Sequence, residues 1–449
     1  MLIGFTVKNF RSIRDENSIS LEASNYYKEN SDTLIFKEIP GMKGVRLLPV
    51  SAIYGANASG KSTLVDAMRV MRQAVLALQG FNLNPLASYE PFLLDESLSK
   101  KPMSFSVEFC LPRNVEEETT KKIVRYEYSF SVSKQGIVDE ELWAYYTRQP
   151  SRLFLRHMSS NGKIAVEGSR SFPISSDAKS LIGPWLLVLS LFEQTAVAKA
   201  GDEARTVCNW FRNSLIVVKR GPGQPPLDTY SGEVLDGVDG TDYQRNFIRT
   251  IMQKADAGIT SIEVCHEASN GLPDQIRELF TEEAVKKFDQ TPQKRIAFSH
   301  QNVLGGNTEI PMESAGTLQL FQLAGYIGKA IESGGTLIVD ELDASLHPDL
   351  ITAIISVFLN PNINRLNAQL IFTAHNPCLM DNPLMRRDEF WIMEKSHDGA
   401  STLYPMSDFR IRKGESLRAG YLAGKYAGLP DVEPSFGVSS PKGGETSVS

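Results

Sequence analysis

The sequence predicts an α/β protein with a more strand-rich, α+β-like N-terminal lobe, and three observations carry that prediction. A glycine-rich loop lies between an apolar strand and an amphipathic helix near the start of the chain. Segments 105–109 and 126–132 alternate or stay β-prone, which calls for an antiparallel sheet. From about 310 to 395 the order helix, apolar strand, helix, strand is the grammar of a parallel sheet.

Taken in order, Met1-Leu2-Ile3-Gly4-Phe5 reads as strand and not as a signal peptide. Leu47 to Tyr54 reads as a buried strand, and Leu64, Met68, Met71 and Val75 recur at helical spacing. Between them, Gly55-Ala56-Asn57-Ala58-Ser59-Gly60-Lys61-Ser62 matches G-x-x-x-x-G-K-[ST] without a mismatch. Gly55 and Gly60 let the backbone curl so that N–H groups turn toward phosphate oxygens. Lys61 adds a point positive charge, Ser62 a hydroxyl able to ligate Mg²⁺, and the new helix its positive end. A nucleotide site for ATP or GTP is expected here, with Asn57 and Thr63 in the binding set.

Composition sets limits on the rest. The 449 residues carry a net charge of −6 and a sequence pI near 5.7, so no bulk field favours nucleic acid. Local basic clusters (Lys219-Arg220, Lys294-Arg295, Arg386-Arg387 and Arg410-Ile411-Arg412-Lys413) read first as solvated surface. Cys110, Cys208, Cys265 and Cys378 are scattered without a CxxC pair, which argues against a disulfide framework or a zinc site. The longest apolar run, Pro184 to Phe192, is too short to span a bilayer and reads as core. A soluble, cytoplasmic protein without membrane contact is expected.

Thr336-Leu337-Ile338-Val339-Asp340-Glu341 is an apolar strand ending in two acids. Beside a phosphate loop, Asp340 suits Mg²⁺ and Glu341 suits the polarisation of an attacking water. Gln369 to His375 is a further apolar strand, and a histidine at its end can reach a terminal phosphate. His347, before Pro348, reads as a helix cap. Glu313-Ser314-Ala315-Gly316-Thr317 opens a helix with Leu320, Leu323, Ala324, Ile327 and Ile331 on one face. Ser314 there can cap the helix, take part in an anion site with Gly316, or do both.

This order of motifs resembles ABC/SMC-type ATPases, and Val7-Lys8-Asn9-Phe10-Arg11-Ser12 resembles the opening of RecF- and SMC-like repair ATPases. More narrowly, the chain is similar to AAA-family ATPases of bacterial anti-phage and abortive-infection systems. These include the ATPase subunits of Septu and PARIS and the ATPase half of overcoming-lysogenisation-defect nucleases. The matching segments run from Phe10-Arg11-Ser12 through Ala255–Ile259, Glu313–Thr317, Asp340–Pro348 and Arg386–Glu389 with Glu394-Lys395 to Tyr421–Tyr426.

The resemblance implies an ABC-type P-loop head with a largely helical insertion, ATP and Mg²⁺ as ligands, and heads that work in pairs. In such a pair, Ser314 and Gly316 of one subunit close over nucleotide on the phosphate loop of the other. Arg11 and Asp343 join the nucleotide-binding set, Ser62 and Asp340 hold the metal, and Glu341 and His375 are catalytic. The expected partners are a second copy, as a homodimer or higher oligomer, and a co-encoded effector, a nuclease, with nucleic acid reached indirectly.

The expected divisions are 1–135 and 306–430 for the two parts of the head, 136–305 for a helical or mixed partner-binding insertion, and 431–449 for a disordered tail. Glu-Ser-Ala-Gly-Thr in place of Leu-Ser-Gly-Gly-Gln argues against a transport ATPase, and no glutamine has a distinctive Q-loop setting. The alternative is a RecF-like repair ATPase that binds duplex DNA directly; a metabolic P-loop kinase fits less well.

Overall fold

The structure is a computed structural model describing residues 1–449 except 28–29, 37–38, 78–88, 114–121, 195–201, 220–227, 256–257, 268–280, 284, 286–292, 302–306, 311–312, 413 and 430–449.

The N-terminal lobe is an antiparallel sheet in the order β10-β9-β8-β7-β6-β1-β2. Its strands are β1 (Leu2–Lys8), β2 (Asn17–Ser20), β6 (Met103–Arg113), β7 (Lys122–Ser133), β8 (Gly136–Tyr145), β9 (Ser151–Met158) and β10 (Ile164–Gly168). Period-two burial makes it: Val124, Tyr126, Tyr128, Phe130 and Val132 of β7 are buried while the residues between them are partly exposed. A short ribbon pairs β3 (Ile35–Phe36) with β4 (Arg46–Leu47). The strand expected over 47–54 is thus divided at Pro49, which has no N–H to give a ladder, and the core strand β5 runs Val50–Tyr54.

The central sheet has the order β11-β15-β16-β5-β17-β18. It adds β11 (Leu215–Val218), β15 (Thr336–Val339), β16 (Gln369–Thr373), β17 (Phe390–Lys395) and β18 (Ser401–Pro405). All pairings are parallel except β17 with β18. Every residue of β5, β15 and β16 is buried, as strands covered on both faces must be.

Alternate residues feed two cores. Ile53, Ile338 and Ile371 pack toward the antiparallel sheet with helix α1 (Lys61–Leu76), whose Leu64, Met68, Met71 and Val75 are buried. Ala52, Tyr54, Leu337, Val339, Leu370 and Phe372 pack on the other face against α7 (Ala315–Ser333) and α8 (Pro348–Leu359). The apolar run 184–192 is core, in and before α3 (Val188–Gln194). No described helix is long and apolar enough to cross a membrane.

The span 136–305 does not form a helical body apart from the head. Gly136–Gly168 continues the N-terminal sheet, in register with β7, and Leu215–Val218 is a strand of the central sheet. Helices α2 (Ser176–Leu181), α3, α4 (Asp202–Asn209), α5 (Asp228–Leu235) and α6 (Asp242–Ala255) lie between and after these strands. A three-stranded sheet of β12 (Ile259–Glu267), β13 (Gln293–Gln301) and β14 (Asn307–Ile310) then leads to α7. The reason is burial: Ile137, Leu142, Ala144, Leu153 and Phe154 belong to the same core as β6 and β7. The tail 431–449 lies outside the described residues.

Candidate nucleotide site

The phosphate loop is shaped by its two glycines. Gly55 has φ 153°, and a Cβ there would meet the Met393 carbonyl oxygen at 2.2 Å. Gly60 has φ 112°, and its Cβ would meet Ser401 Oγ at 2.3 Å. The loop is pressed against β17 and β18, and only glycine allows both the torsion and the approach. Gly60 is also the N-cap of α1 and offers no side-chain cap, so the first N–H groups of the helix are left for a ligand.

Lys61 is 4% exposed, and its Nζ donates to the carbonyls of Gly55 at 2.7 Å and Ala56 at 3.0 Å. Burial pulls its ammonium down to about 8, a shift that Asp340, Glu341 and Asp343 partly oppose. Across the cleft stand the acids that follow β15. Thr373, at the end of β16, donates its hydroxyl to Asp340 Oδ1 at 2.7 Å and accepts the Glu341 N–H at 2.7 Å. Glu341 adopts φ 56°, a left-handed torsion that costs a non-glycine residue energy and is found where a side chain must be aimed. Its Oε1 lies 3.5 Å from His375 Nε2, and both side chains are accessible. His375 Nδ1 is 3.4 Å from Lys61 Nζ. Asp343 accepts the backbone N–H groups of His375 (2.7 Å) and Asn376 (2.6 Å), which fixes the turn that presents the imidazole.

Asn57, Gly60, Lys61, Ser62, Thr63, Glu341 and His375 therefore line one cleft of about 440 Å³. Asp340 stands behind its acidic wall and Gly55 beneath its loop. The donor set fits a nucleoside triphosphate with a divalent ion: an ammonium, a free helix N-terminus, a hydroxyl at Ser62 and a carboxylate at Asp340.

Four expected residues are placed elsewhere. Arg11 does not line the cleft: its guanidinium is bound to Asp66 and Glu90. Asp66 also takes Lys219 at 2.6 Å and Arg69 at 3.2 Å. Burial favours a neutral Asp66, but Lys219, Arg11 and Arg69 outweigh it and hold its carboxyl below the usual range. Asp343 acts on backbone, as described above. Ser314 is the N-cap of α7, its Oγ accepting the Thr317 N–H at 3.1 Å. A Cβ on Gly316 would stand 2.8 Å from the Ser345 carbonyl oxygen. Ser314 and Gly316 line a separate cleft of about 260 Å³ with Ser345 and His347. His347 caps α8, its Nδ1 accepting the Asp349 N–H at 3.3 Å.

Ser12, Lys395 and Thr373 were not among the expected site residues, although Ser12 and Lys395 stand in segments that carry the resemblance. Ser12 and Lys395 line the phosphate-loop cleft, and Ser12 Oγ donates to Thr63 Oγ1 at 3.2 Å. Thr373 had a readable signal, a hydroxyl two residues before the strand-ending histidine. Lys395 stands in a segment that carries the resemblance, Glu394-Lys395, but its place at the cleft depends on β17 pairing with β5. The basic clusters are mostly consumed internally: Lys219 on Asp66, Lys294 on Asp236, and Arg386, wholly buried, on Asp388 and the carbonyls of Ser24 and Tyr27.

The family model described as "AAA domain, putative AbiEii toxin, Type IV TA system" matches residues 50–172 and 235–381. The chain belongs to this family. The matched residues hold the phosphate loop, the start of the Ser314 helix, and the strands followed by Asp340-Glu341 and His375. No curated relative matches the chain. Among solved structures it is similar to an Smc head bound to the C-winged helix domain of ScpA, with a TM-score of 0.43 and 13% identity over 90% of this chain and 97% of that one. A Pyrococcus furiosus Smc head with an extended coiled coil, bound to the C-terminal domain of ScpA, gives 0.41 and 12% over 94% and 98%. A Pyrococcus yayanosii Smc head with a coiled coil and joint gives 0.40 and 10% over 94% and 99%.

Proposed function

We propose that this AAA-domain protein hydrolyses ATP with Mg²⁺ as a head-to-head homodimer, and that in the cytoplasm it controls a separate effector, a nuclease, during anti-phage defence. The observation that carries the dimer is the separation of two half-sites. The phosphate loop, Glu341 and His375 share one cleft, while Ser314 and Gly316 line another. A second copy would bring its α7 N-terminus and Ser314 hydroxyl over the terminal phosphate bound on the first.

In this reading Lys61 leaves the Gly55 and Ala56 carbonyls for the β- and γ-phosphate oxygens. Ser62 and Asp340 would hold Mg²⁺, which supplies charge neutralisation at those oxygens when bound. Glu341 accepts a proton from the attacking water, whose oxygen bonds to the γ-phosphorus as the bond to ADP breaks. His375, oriented by Asp343, hydrogen-bonds the γ-phosphate and keeps the water in line. Arg11 would reach nucleotide only by leaving Asp66, which Lys219 and Arg69 would still neutralise. Surfaces within 136–305 would bind the effector, since no cluster of side chains able to hold a metal is found there among the described residues.

The test is a mixture of two inactive chains, Lys61→Ala and Ser314→Arg. In a mixed dimer both defects can fall on one site, leaving about one working site, so ATP hydrolysis should recover. No recovery, with mixed dimers verified, would mean that each site is built within one chain. For the effector, the isolated chain with plasmid, single-stranded DNA or tRNA and Mg²⁺ should cut nothing, and cleavage should appear only with the co-encoded protein.

A further inference from the structure

Of the four basic clusters in the sequence, the one at 410–413 is left open over its described part, Arg410 to Arg412, Lys413 lying outside the described residues. Arg410 and Arg412 are exposed, and among the described residues neither guanidinium makes a hydrogen bond or close ion pair, although the Arg412 charge acts on the nearby Glu415 carboxylate. They line a surface cleft of about 770 Å³ with Phe409, Glu415, Lys425 and Tyr426. Glu415 is the one carboxylate in that lining, set against three cations, and it pairs with Lys425 at 2.5 Å. Arg387 braces the loop, donating to the Arg412 carbonyl at 3.0 Å and to the Glu415 carbonyl. Phe409 and Tyr426 pack edge to face at 5.5 Å and give the cleft an aromatic side. Two exposed guanidiniums thus stand beside an aromatic side chain in one surface cleft. The pairing suits a ligand with both phosphate and a flat base.

The cleft is also joined to the back of the phosphate loop. Past Tyr426 the chain reaches Gly428, where a Cβ would stand 3.6 Å from Gly55 Cα. Tyr421, in α9 (Leu417–Leu422), donates its hydroxyl to the Gly428 carbonyl at 3.1 Å. Its ring meets that of Tyr54, the residue before the loop, at 6.2 Å. One short segment, 421–428, thus touches both places.

We propose that this cleft is an effector site for a phosphorylated nucleoside, distinct from the phosphate-loop cleft, and that Tyr421 and Gly428 pass its occupancy to Gly55. The binding stands on the cleft alone; the transmission rests on the ATPase reading above. The ligand can be a free nucleotide or a unit of a single-stranded nucleic acid.

The experiment measures fluorescence anisotropy of a labelled ten-nucleotide single strand and of a labelled mononucleotide. The full chain is compared with Lys61→Ala and with the double variant Arg410→Glu/Arg412→Glu. At least one probe should bind Lys61→Ala as it binds wild type, and the probe that does so names the source. The double variant should bind at least tenfold more weakly, and for the strand its salt slope should fall by about 1.4, from about 0.7 per phosphate contact. Arg410→Gln/Arg412→Gln, with circular dichroism and Tm checked, covers a fold failure of the charge reversal.

Equal binding in the folded double variants, loss of both probes in Lys61→Ala, or equal competition by polyglutamate would overturn the site. For the transmission, Tyr421→Phe should keep the probe affinity but lose any change in ATP hydrolysis that the probe causes in wild type. An unchanged response in Tyr421→Phe would overturn that step. Wild type that binds probe but never hydrolyses ATP would sink the ATPase reading and leave the binding site standing.

Discussion

The two clefts of the head are built of different materials. The phosphate-loop cleft holds a lysine at the start of a helix, a second lysine at 395, an acid and an imidazole, wired together through Thr373 and Asp343. The Ser314 cleft has hydroxyls, His347 and a helix N-terminus set among Met252, Leu320 and Leu350, with neither a carboxylate nor a lysine in its lining among the described residues. One surface can do chemistry but stands open. The other offers hydroxyls and a helix N-terminus that can meet an anion. The difference teaches that each cleft supplies groups the other lacks, the asymmetry that the proposed pairing of two copies would use.

Substitutions on the two sides should break this division unequally. The largest effect is expected from Glu341→Gln, which keeps shape but removes the base. Its kcat should fall by about 10²- to 10⁴-fold with ATP affinity retained, measured by phosphate release and by equilibrium binding. A Glu341→Gln chain that turns over like wild type would remove Glu341 from the mechanism.

Lys61→Ala should weaken ATP binding by about 30- to 150-fold, the loss of a charge-assisted contact of roughly 2–3 kcal/mol. Ser314→Arg should leave that affinity untouched in the isolated head. Weakened binding in both would mean that the two clefts are not separable.

A smaller effect is expected from pH. Free Lys61 is pulled down to about 8, so it carries its charge below that pH and loses it above. Triphosphate favours the charged form, so binding above pH 8 must take up a proton. Affinity should therefore fall by up to about tenfold between pH 7 and pH 9, where roughly a tenth of the ammonium stays charged. Calorimetry in buffers of different ionisation enthalpy should show proton uptake at pH 8.5 and little at pH 6.5.

The smallest change should come from Gly316→Ala. Its methyl would press on the Ser345 carbonyl, and a loss of about 1–2 kcal/mol in stability should appear as a lower Tm with ATP affinity unchanged.

Much of the phosphate-loop cleft was legible because its residues sit at strand ends and helix starts. There, period and residue type are visible in one dimension: Lys61 after a buried strand, Asp340-Glu341 after another, His375 after a third. The alternating burial of β7 was equally plain. The membership of 136–168 in the N-terminal sheet was not, because it rests on register with β7 across long cross-strand pairings. Nor was the strand Leu215–Val218, four residues too short to stand out, whose sheet position is decided by residues 336–339. Arg11 was misplaced for a different reason. Its engagement depends on Asp66 and Glu90, far along the chain, and spacing cannot report which of several acids a guanidinium will find.

The order of the central sheet carries a consequence for how the molecule is made. The strand before the phosphate loop, Val50–Tyr54, has as its neighbours residues 369–373 and 390–395. During synthesis it must wait for some three hundred residues to emerge before either edge is covered. An apolar strand with two open edges is an invitation to pair with the wrong chain. The antiparallel lobe is largely local, β6 through β10 being successive hairpins, and can form early. The molecule is thus assembled scaffold first and phosphate loop last, and chains truncated anywhere before Lys395 should aggregate rather than yield a smaller head.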